Sequence, residues 1–248
     1  MIKFFRALFG FIIFSTLVFK SESTSLANFE NNELSYPEIS KDTLDSAPKL
    51  EFIDVDSSGN KFKIFTRKYP ANSETTVLLL HGMAFTSKTW EEVHTYEALQ
   101  NAGINSIGVD LPGFGQSEGP KLNQNCDVFI SDLIKSLQID NVVLVSPSMS
   151  GKFANSYLLG RNKEERKVVG WVPVAPVTTQ TAEDFTTLDI KALISYGEND
   201  GTGKRVSETV LSSIPNSQLY ELKGGSHPCY RDNPTEWNER VVSFLKSF

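Results

Sequence analysis

The stretch NVVLVSPSMSGKFANSYLL, Asn141 to Leu159, constrains the fold of this chain more than any other segment. It opens with a short run of valine and leucine, which is typical of a strand that is buried on both faces. Lys152 to Leu159 follows as a helical segment. A strand that passes into a helix through S-P-S-M-S-G predicts a sharp, strained turn with Ser148 at its centre. Such a turn lifts the serine hydroxyl clear of the sheet, where it can act as a nucleophile.

Small residues around Ser148 support this register. The turn leaves no room for bulk two positions before or after the nucleophile, where glycine is usual. Ser146 and Ser150 occupy those positions here. A turn centred on Ser150 would place Lys152 in a tight position, and one centred on Ser146 would place Leu144 there. An ordinary serine-rich turn between a strand and a helix has the same local pattern. Features elsewhere in the chain are needed to distinguish it from a turn that carries a nucleophile.

Composition and charge exclude several classes of protein. The chain has 248 residues, 40% hydrophobic and 22% charged, as expected for one globular domain with a full core. Its net charge of -6 leaves no basic footprint for nucleic acid, so we expect no nucleic-acid partner. No P-loop, dinucleotide fingerprint or metal-ligand spacing occurs, so we expect no resident cofactor and no metal. We expect a monomer that acts on a small substrate.

The N-terminal residues predict entry into the secretory pathway. The chain begins MIKFFR and continues with 13 uncharged residues, Ala7 to Phe19. Roughly 20 residues are needed to span a bilayer, and a basic start before a shorter apolar run is typical of a signal peptide. We interpret residues 1–27 as a signal peptide or an uncleaved signal anchor, 28–48 as a linker and 49–248 as the folded domain. The protein is then secreted or anchored, and it contacts a membrane only if the N-terminal segment is retained.

Strand and helix patterns alternate along the rest of the chain. An antiparallel hairpin is predicted over 51–69, and further strands are predicted over 75–80, 104–109, 141–145, 168–174, 191–196 and 218–222. Helices are predicted over 90–100, 127–137, 152–159, 205–213 and 234–248. The last helix is expected to bury Trp237, Val241, Val242, Leu245 and Phe248. This alternation predicts an α/β fold with a mostly parallel central sheet, helices on both faces and the ligand site at the carboxyl ends of the strands.

Three residues that follow predicted strands are typical of nucleophilic acyl transfer. Such chemistry needs a serine, a base that takes its proton and an acid that holds the base, and in α/β-hydrolases they occur in the order serine, aspartate, histidine. Ser148, Asp200 and His227 occur in that order. Of the other two histidines, His81 precedes the serine and His94 lies within a predicted helix. His227 is therefore the candidate base.

The candidate acid, Asp200, has competitors. Glu198 lies in the same loop, and Asp189 precedes the strand and so belongs to the opposite end of the sheet. An aspartate beside a glycine is often only a turn former. We favour Asp200 because the chain order requires a carboxylate just beyond this strand.

Two backbone N–H groups are candidates for stabilising an oxyanion. His81 and Gly82 close the strand predicted over 75–80, in the position where α/β-hydrolases place one donor. The N–H of Met83 would then act together with the N–H of Met149, the residue after the candidate nucleophile. His81 itself is interpreted as a hydrogen-bonded turn residue, and the glycine-rich loop from Asp110 to Ser117 is interpreted as structural.

Six segments in a fixed order resemble one branch of a known superfamily. LLLHGM, DLPGFGQS, SPSMSG, VPVAP, YGEND and GGSHPCY are similar to the α/β-hydrolase domain-containing protein 14 branch of the α/β-hydrolases, over about Leu50 to Phe248. The resemblance implies an α/β-hydrolase fold and a serine hydrolase whose triad is Ser148, Asp200 and His227. It also implies deacylation, including transfer of an acyl group to a thiol such as coenzyme A. Whether Glu198 perturbs the pKa of the acid is left open.

The spacing of two strands limits the size of any lid. Only 16 residues, 175–190, separate the strands predicted over 168–174 and 191–196, so there is no room for a large lid. The site is expected to be open and small, and to suit short acyl groups. Candidate pocket walls, each of which could equally be core, are Met83, Phe85, Met149, Val177 and Tyr230.

Three functions remain open at this stage, in order of preference. The first is a serine esterase or deacylase that hydrolyses short acyl groups through an acyl-serine. The second is an acyltransferase that passes the acyl group to a thiol such as coenzyme A. The third is an interaction protein that keeps the fold without the chemistry, which the complete triad disfavours. The two cysteines, Cys126 and Cys229, could pair in an oxidising compartment.

Overall fold

Eight strands form one sheet in the described part of this computed structural model, which comprises residues 47–160, 167–178 and 181–248. They are β1 (Lys49–Ser57), β2 (Asn60–Tyr69), β3 (Thr76–Leu79), β4 (Asn105–Val109), β5 (Val142–Pro147), β6 (Val168–Val174), β7 (Lys191–Gly197) and β8 (Asn216–Leu222). Their spatial order is β1-β2-β4-β3-β5-β6-β7-β8. The two pairs that involve β2 are antiparallel and the others are parallel, which confirms the predicted mostly parallel sheet.

Helices cover both faces of this sheet, as predicted. They are α1 (Thr89–Glu92), α2 (Thr95–Asn101), α3 (Cys126–Leu137), α4 (Gly151–Leu159), α5 (Ala182–Phe185), α6 (Gly201–Thr209), α7 (Cys229–Asp232) and α8 (Pro234–Leu245). Strand side chains alternate between two apolar cores. In β5, Val142 and Leu144 pack into the core with α3 and α4, whereas Val143 and Val145 pack into the core with α2 and α8.

The two cysteines lie on opposite sides of the sheet. Cys126 packs in the core with α3 and Cys229 packs in the core with α8. Both are buried and free, so the disulfide that the sequence left open is not formed.

The helix predicted over 90–100 is instead two helices, α1 and α2, separated by a break at His94. The His94 backbone is left-handed, with φ of 58°, which a continuing helix does not allow. The break is stabilised from α8: Asn238 donates its side-chain N–H to the Val93 carbonyl and accepts a hydrogen bond from the Thr95 hydroxyl. The prediction was wrong because a tertiary contact decides this boundary.

The closing helix is shorter than predicted. Trp237, Val241 and Leu245 are buried as expected, and Val242 is partly buried. The helix ends at Leu245, so Phe248 lies beyond it and its side chain remains 41% exposed. The predicted burial of Phe248 was wrong, because it assumed that the helical periodicity continues to Phe248.

The segment between β6 and β7 packs into the core and does not form a lid. It contains the short helix α5, and the side chains of Phe185 and Leu188 are buried. The Phe185 ring stacks on Trp171 of β6 with 6.0 Å between ring centroids. Within the described residues of this segment, the prediction that no large lid is present is confirmed.

The predicted leader lies outside the described residues. This applies to the proposed signal segment, 1–27, and to the linker, 28–48, apart from its last two residues, so both assignments stay predictions. No helix in the part of the chain that the structure describes is long and apolar enough to cross a membrane.

Candidate active site

Ser148 lies at a strained turn between β5 and α4. Its φ is 49°, a left-handed value that few residues other than glycine adopt. A single 3-10 turn, Ser148–Ser150, leads directly into α4 at Gly151. A Cβ on Gly151 would lie 2.4 Å from the Cβ of Pro176, so only glycine allows the β6–β7 segment to pack this closely against the turn.

The serines that replace the usual glycines are accommodated by hydrogen bonds. Ser146 is fully buried and its hydroxyl accepts the indole N–H of Trp171 at 2.8 Å. Ser150 is also fully buried and donates its hydroxyl to the Pro147 carbonyl at 2.8 Å. Both polar groups are satisfied, so the tight turn forms without glycine at either position.

Ser148, His227 and Asp200 form one continuous hydrogen-bonded relay. Asp200 Oδ2 lies 2.6 Å from His227 Nδ1, and His227 Nε2 lies 2.8 Å from Ser148 Oγ. A carboxylate can only accept, so Nδ1 carries the proton and Nε2 is free to accept from the serine. The Asp200 side chain is only 8% exposed, whereas the His227 side chain is 49% exposed. The relay is therefore anchored at the acid and open to solvent at the base.

Asp200 is held in place as the N-cap of α6. Its Oδ1 accepts the backbone N–H of Gly203 at 3.0 Å, which leaves Oδ2 for His227. The two competing carboxylates lie elsewhere. Glu198 accepts a hydrogen bond from the backbone of Gly224, and Asp189 accepts one from Asn216 at the start of β8, at the opposite end of the strands.

His81 is buried and fully hydrogen-bonded. The N–H of Leu111 donates to His81 Nε2 at 2.9 Å, so the ring proton is on Nδ1, which lies 2.8 Å from the Gly82 carbonyl oxygen. Burial lowers the pKa of His81, which favours the neutral ring that this arrangement requires. The histidine thus ties the end of β3 to the loop that follows β4.

Two peptide units beside Ser148 are held by their carbonyl oxygens. The Gly82 carbonyl accepts from His81 and from the N–H of Phe85 at 3.1 Å. The Ser148 carbonyl accepts the N–H of Val177 at 2.9 Å. In a trans peptide the N–H points opposite to the C=O. These bonds therefore set the direction of the next residues' N–H groups, those of Met83 and Met149.

A small cavity opens directly onto Ser148 and His227. Its volume is about 160 Å³, and it is lined by Gly82, Met83, Ala84, Phe85, Pro147, Ser148, His227, Pro228 and Tyr230. Three of the predicted walls, Met83, Phe85 and Tyr230, are thus in the lining. Met149 packs against the core instead, and Val177 is 54% exposed outside the lining.

Sequence reasoning missed the contributions of proline and of the backbone. Pro147 and Pro228 line the cavity because each is adjacent to a relay residue, Ser148 or His227, and their positions could have suggested this. The hydrogen bond that Val177 donates to the Ser148 carbonyl comes from its backbone N–H. The type of side chain at this position gives no sign of it.

Other reactive groups near the relay do not compete with it. Burial raises the pKa of Cys229 to about 12, so its thiol stays protonated and is a poor nucleophile. Among the described residues, no group of three or more His, Cys, Asp or Glu side chains could hold a metal ion. The arrangement places a serine hydroxyl within hydrogen-bond distance of a histidine, beside a small and mostly apolar cavity.

Comparisons with known proteins point in the same direction. A family model described as serine aminopeptidase, S33, matches residues 71–196. The chain is 34% identical over 192 residues to "Putative protein-lysine deacylase ABHD14B" of Rattus norvegicus, covering 73% of this chain and 90% of that protein. It is 34% identical over 194 residues to "Protein ABHD14A" of Homo sapiens, covering 75% and 70%. The crystal structure of a "predicted CIB-like hydrolase" from Thermoplasma acidophilum superposes with a TM-score of 0.72 at 26% identity, covering 82% of this chain and all of that one.

Proposed function

Because this chain belongs to the ABHD14 branch of the α/β-hydrolase superfamily, a superfamily of serine hydrolases, we propose that it is an esterase or deacylase that removes short acyl groups through an acyl-serine at Ser148. The predicted family and the α/β-hydrolase fold are confirmed by the same comparisons. The observation that carries the proposal is the continuous relay from Asp200 through His227 to Ser148.

The proposed reaction runs in two halves. His227 Nε2 takes the hydroxyl proton as Ser148 Oγ bonds to the acyl carbon, and the proton then passes to the departing alcohol or amine. Water next gives a proton to the same nitrogen and attacks the acyl-serine, which releases the carboxylic acid and restores Ser148. Asp200 holds the ring through Nδ1 and stabilises its positive charge in both halves. Every proton and bond is handled by these side chains, so the proposal needs no resident cofactor.

The N–H groups of Met83 and Met149 are the proposed oxyanion donors. The support is that each N–H shares a peptide unit with a carbonyl that is held in place: Gly82 O by His81 and Phe85, and Ser148 O by Val177. Donors that are oriented before the reaction lose nothing to reorganisation as the negative charge develops. Removing one such donor typically costs about 10²–10³ in kcat.

The cavity suggests the size of the acyl group. A volume of about 160 Å³ is below the roughly 300–1,000 Å³ of clefts that bind drug-sized ligands. Its walls include the rings of Phe85 and Tyr230, which suit an apolar chain. The name of the rat relative specifies protein-lysine deacylation, so an acylated lysine side chain is a candidate substrate alongside simple esters.

We expect a sharp preference for short chains. In a panel of p-nitrophenyl esters, acetyl to butyryl esters should be hydrolysed with the highest kcat/KM, and octanoyl should be slower by at least about tenfold, since even one misfitting methylene costs that much. Phe85→Ala should move the preference to longer chains by removing a wall of the cavity. Val177→Ala, outside the lining, is the control. A rate that rises steadily with chain length in the wild-type protein would contradict this expectation.

Water is the proposed acceptor, and a thiol is the alternative. The described site has no lid, so its open cavity admits a large thiol such as coenzyme A as well as water. We expect free carboxylic acid to form at full rate without added thiol, as measured by chromatographic separation of free acid from thioester. If product is negligible in buffer and rises in proportion to coenzyme A, the protein is a transferase and not a hydrolase.

A further inference from the structure

The loops that carry Asp200 and His227 are joined by hydrogen bonds just before each residue. The N–H of Glu198 donates to the Leu222 carbonyl at 3.0 Å, and the N–H of Asn199 donates to the Gly225 carbonyl at 2.8 Å. Two side chains reinforce these backbone bonds. Asn199 donates its amide to the Gly224 carbonyl at 3.1 Å, and Glu198 Oε2 accepts the Gly224 N–H at 2.8 Å.

The two loops are also in close steric contact. A Cβ on Gly197 would lie 2.2 Å from the carbonyl oxygen of Ser226, so the two loops pack together with no room for a side chain at this position. Gly224 has φ of 67°, and this left-handed residue turns the chain from β8 toward His227. His227 follows three residues later, and Ser226 just before it is bonded to Asp232 through its N–H and its hydroxyl, each at 2.6 Å.

Glu198 is the acidic group in this contact, and it faces the backbone and Lys223. The pKa of Glu198 is held below its usual value, mainly by the hydrogen bond from the Gly224 N–H and secondly by the nearby Lys223 ammonium. Lys223 Nζ lies 3.4 Å from Glu198 Oε1 and 2.6 Å from Glu221. The carboxylate is thus an acceptor for a backbone group at the base of the His227 turn.

We propose that Glu198 is a positioning residue for the reaction. Its bond to Gly224 keeps the turn that carries His227 in register with Asp200, so that Nδ1–H meets Oδ2. This inference rests on the proposed function, because it assigns Glu198 a part in the same relay. The side chain acts through the turn and does not touch the substrate.

The competing explanation is that Glu198 only forms a surface ion pair with Lys223. Substitution of Lys223 distinguishes this ion pair from the hydrogen bond to Gly224. Exposed pairs of this kind contribute little to stability. Lys223→Ala removes the ion pair and leaves the bond to Gly224, whereas Glu198→Ala removes both. Glu198→Gln removes the charge but keeps a side-chain oxygen that can accept the Gly224 N–H.

The test is the hydrolysis of a short ester by the three variants. Glu198→Ala should lower kcat about tenfold with KM unchanged, because a misplacement of about 1 Å can cost about 10² in rate and a smaller one costs less. Glu198→Gln should recover most of that loss, and Lys223→Ala should match the wild-type protein. Thermal unfolding should occur at nearly the same temperature in all four proteins.

Proton NMR of the His227 ring N–H gives a second measurement that does not depend on turnover. This signal should be visible in the wild-type protein and in Glu198→Gln, and weakened or absent in Glu198→Ala. An unchanged signal and unchanged kcat in Glu198→Ala, or equal losses in Glu198→Gln or Lys223→Ala, would overturn the proposal. If the wild-type protein has no esterase activity but the signal follows this pattern, Glu198 positions His227 and the proposed function is wrong.

Discussion

Ser148→Ala is expected to abolish labelling by a fluorophosphonate probe and to lower short-ester turnover by up to the order of 10⁶-fold, the loss seen when a serine protease loses its nucleophile. The reason is geometric, since Ser148 Oγ is the hydroxyl that lies 2.8 Å from His227 Nε2. Labelling is read on a gel with the purified protein, and turnover is measured with an acetyl or butyryl ester.

Ser150→Ala is the matched control for that experiment. Ser150 belongs to the same turn, but its hydroxyl is buried and bonded to the Pro147 carbonyl, so this variant should still be labelled. Labelling that persists without Ser148 would refute the assignment of the nucleophile. A wild-type protein that takes up no probe and hydrolyses no ester would favour the interaction protein instead.

His227→Ala is expected to reduce kcat by up to the order of 10⁶-fold, as loss of the serine does, and Asp200→Asn by roughly 10⁴-fold. His227→Ala removes the nitrogen that lies 2.8 Å from Ser148 Oγ and accepts its proton. The amide introduced by Asp200→Asn can donate to Nδ1, which moves the ring proton to Nε2. The ring then has no lone pair for the serine hydroxyl, although the geometry is almost unchanged.

Two matched substitutions test whether these losses are specific. His94→Ala removes an exposed histidine whose described partner is Glu97, and Asp189→Asn changes a carboxylate at the opposite end of the strands. Both should retain nearly full turnover. Asp200→Asn with more than about a tenth of wild-type kcat would exclude the tautomer role, for which the expected loss is far larger.

The sheet and the chain order of the site could be predicted because both depend on local signals. β5 and β7, which end just before Ser148 and Asp200, are buried and largely apolar. β8, which precedes His227, is a mostly exposed or half-buried strand whose signal is its place before the last helix. In a mostly parallel sheet, the carboxyl ends of neighbouring strands meet at one edge. Three residues far apart in sequence could therefore be expected to lie together.

Features that depend on tertiary contacts could not be predicted. The break at His94 depends on Asn238 from a helix far along the chain. The sequence predicts that α6 begins at Arg205, whereas it begins at Gly201. Asp200 caps a Gly-Thr-Gly segment whose own helix propensity is poor. Glu198 could be read only as a rival of Asp200, since its partner is a backbone N–H of another loop.

The way in which the β6–β7 segment packs has a consequence for the rate law. Lipases with a mobile lid show interfacial activation, because a lipid surface opens a state that is closed in water. Here the buried side chains of Phe185 and Leu188 tie that segment to the core, so the described part of the segment offers no such closed state. We therefore expect that substrate in micelles is simply withdrawn from solution, and that the velocity follows the monomer concentration along an ordinary saturation curve.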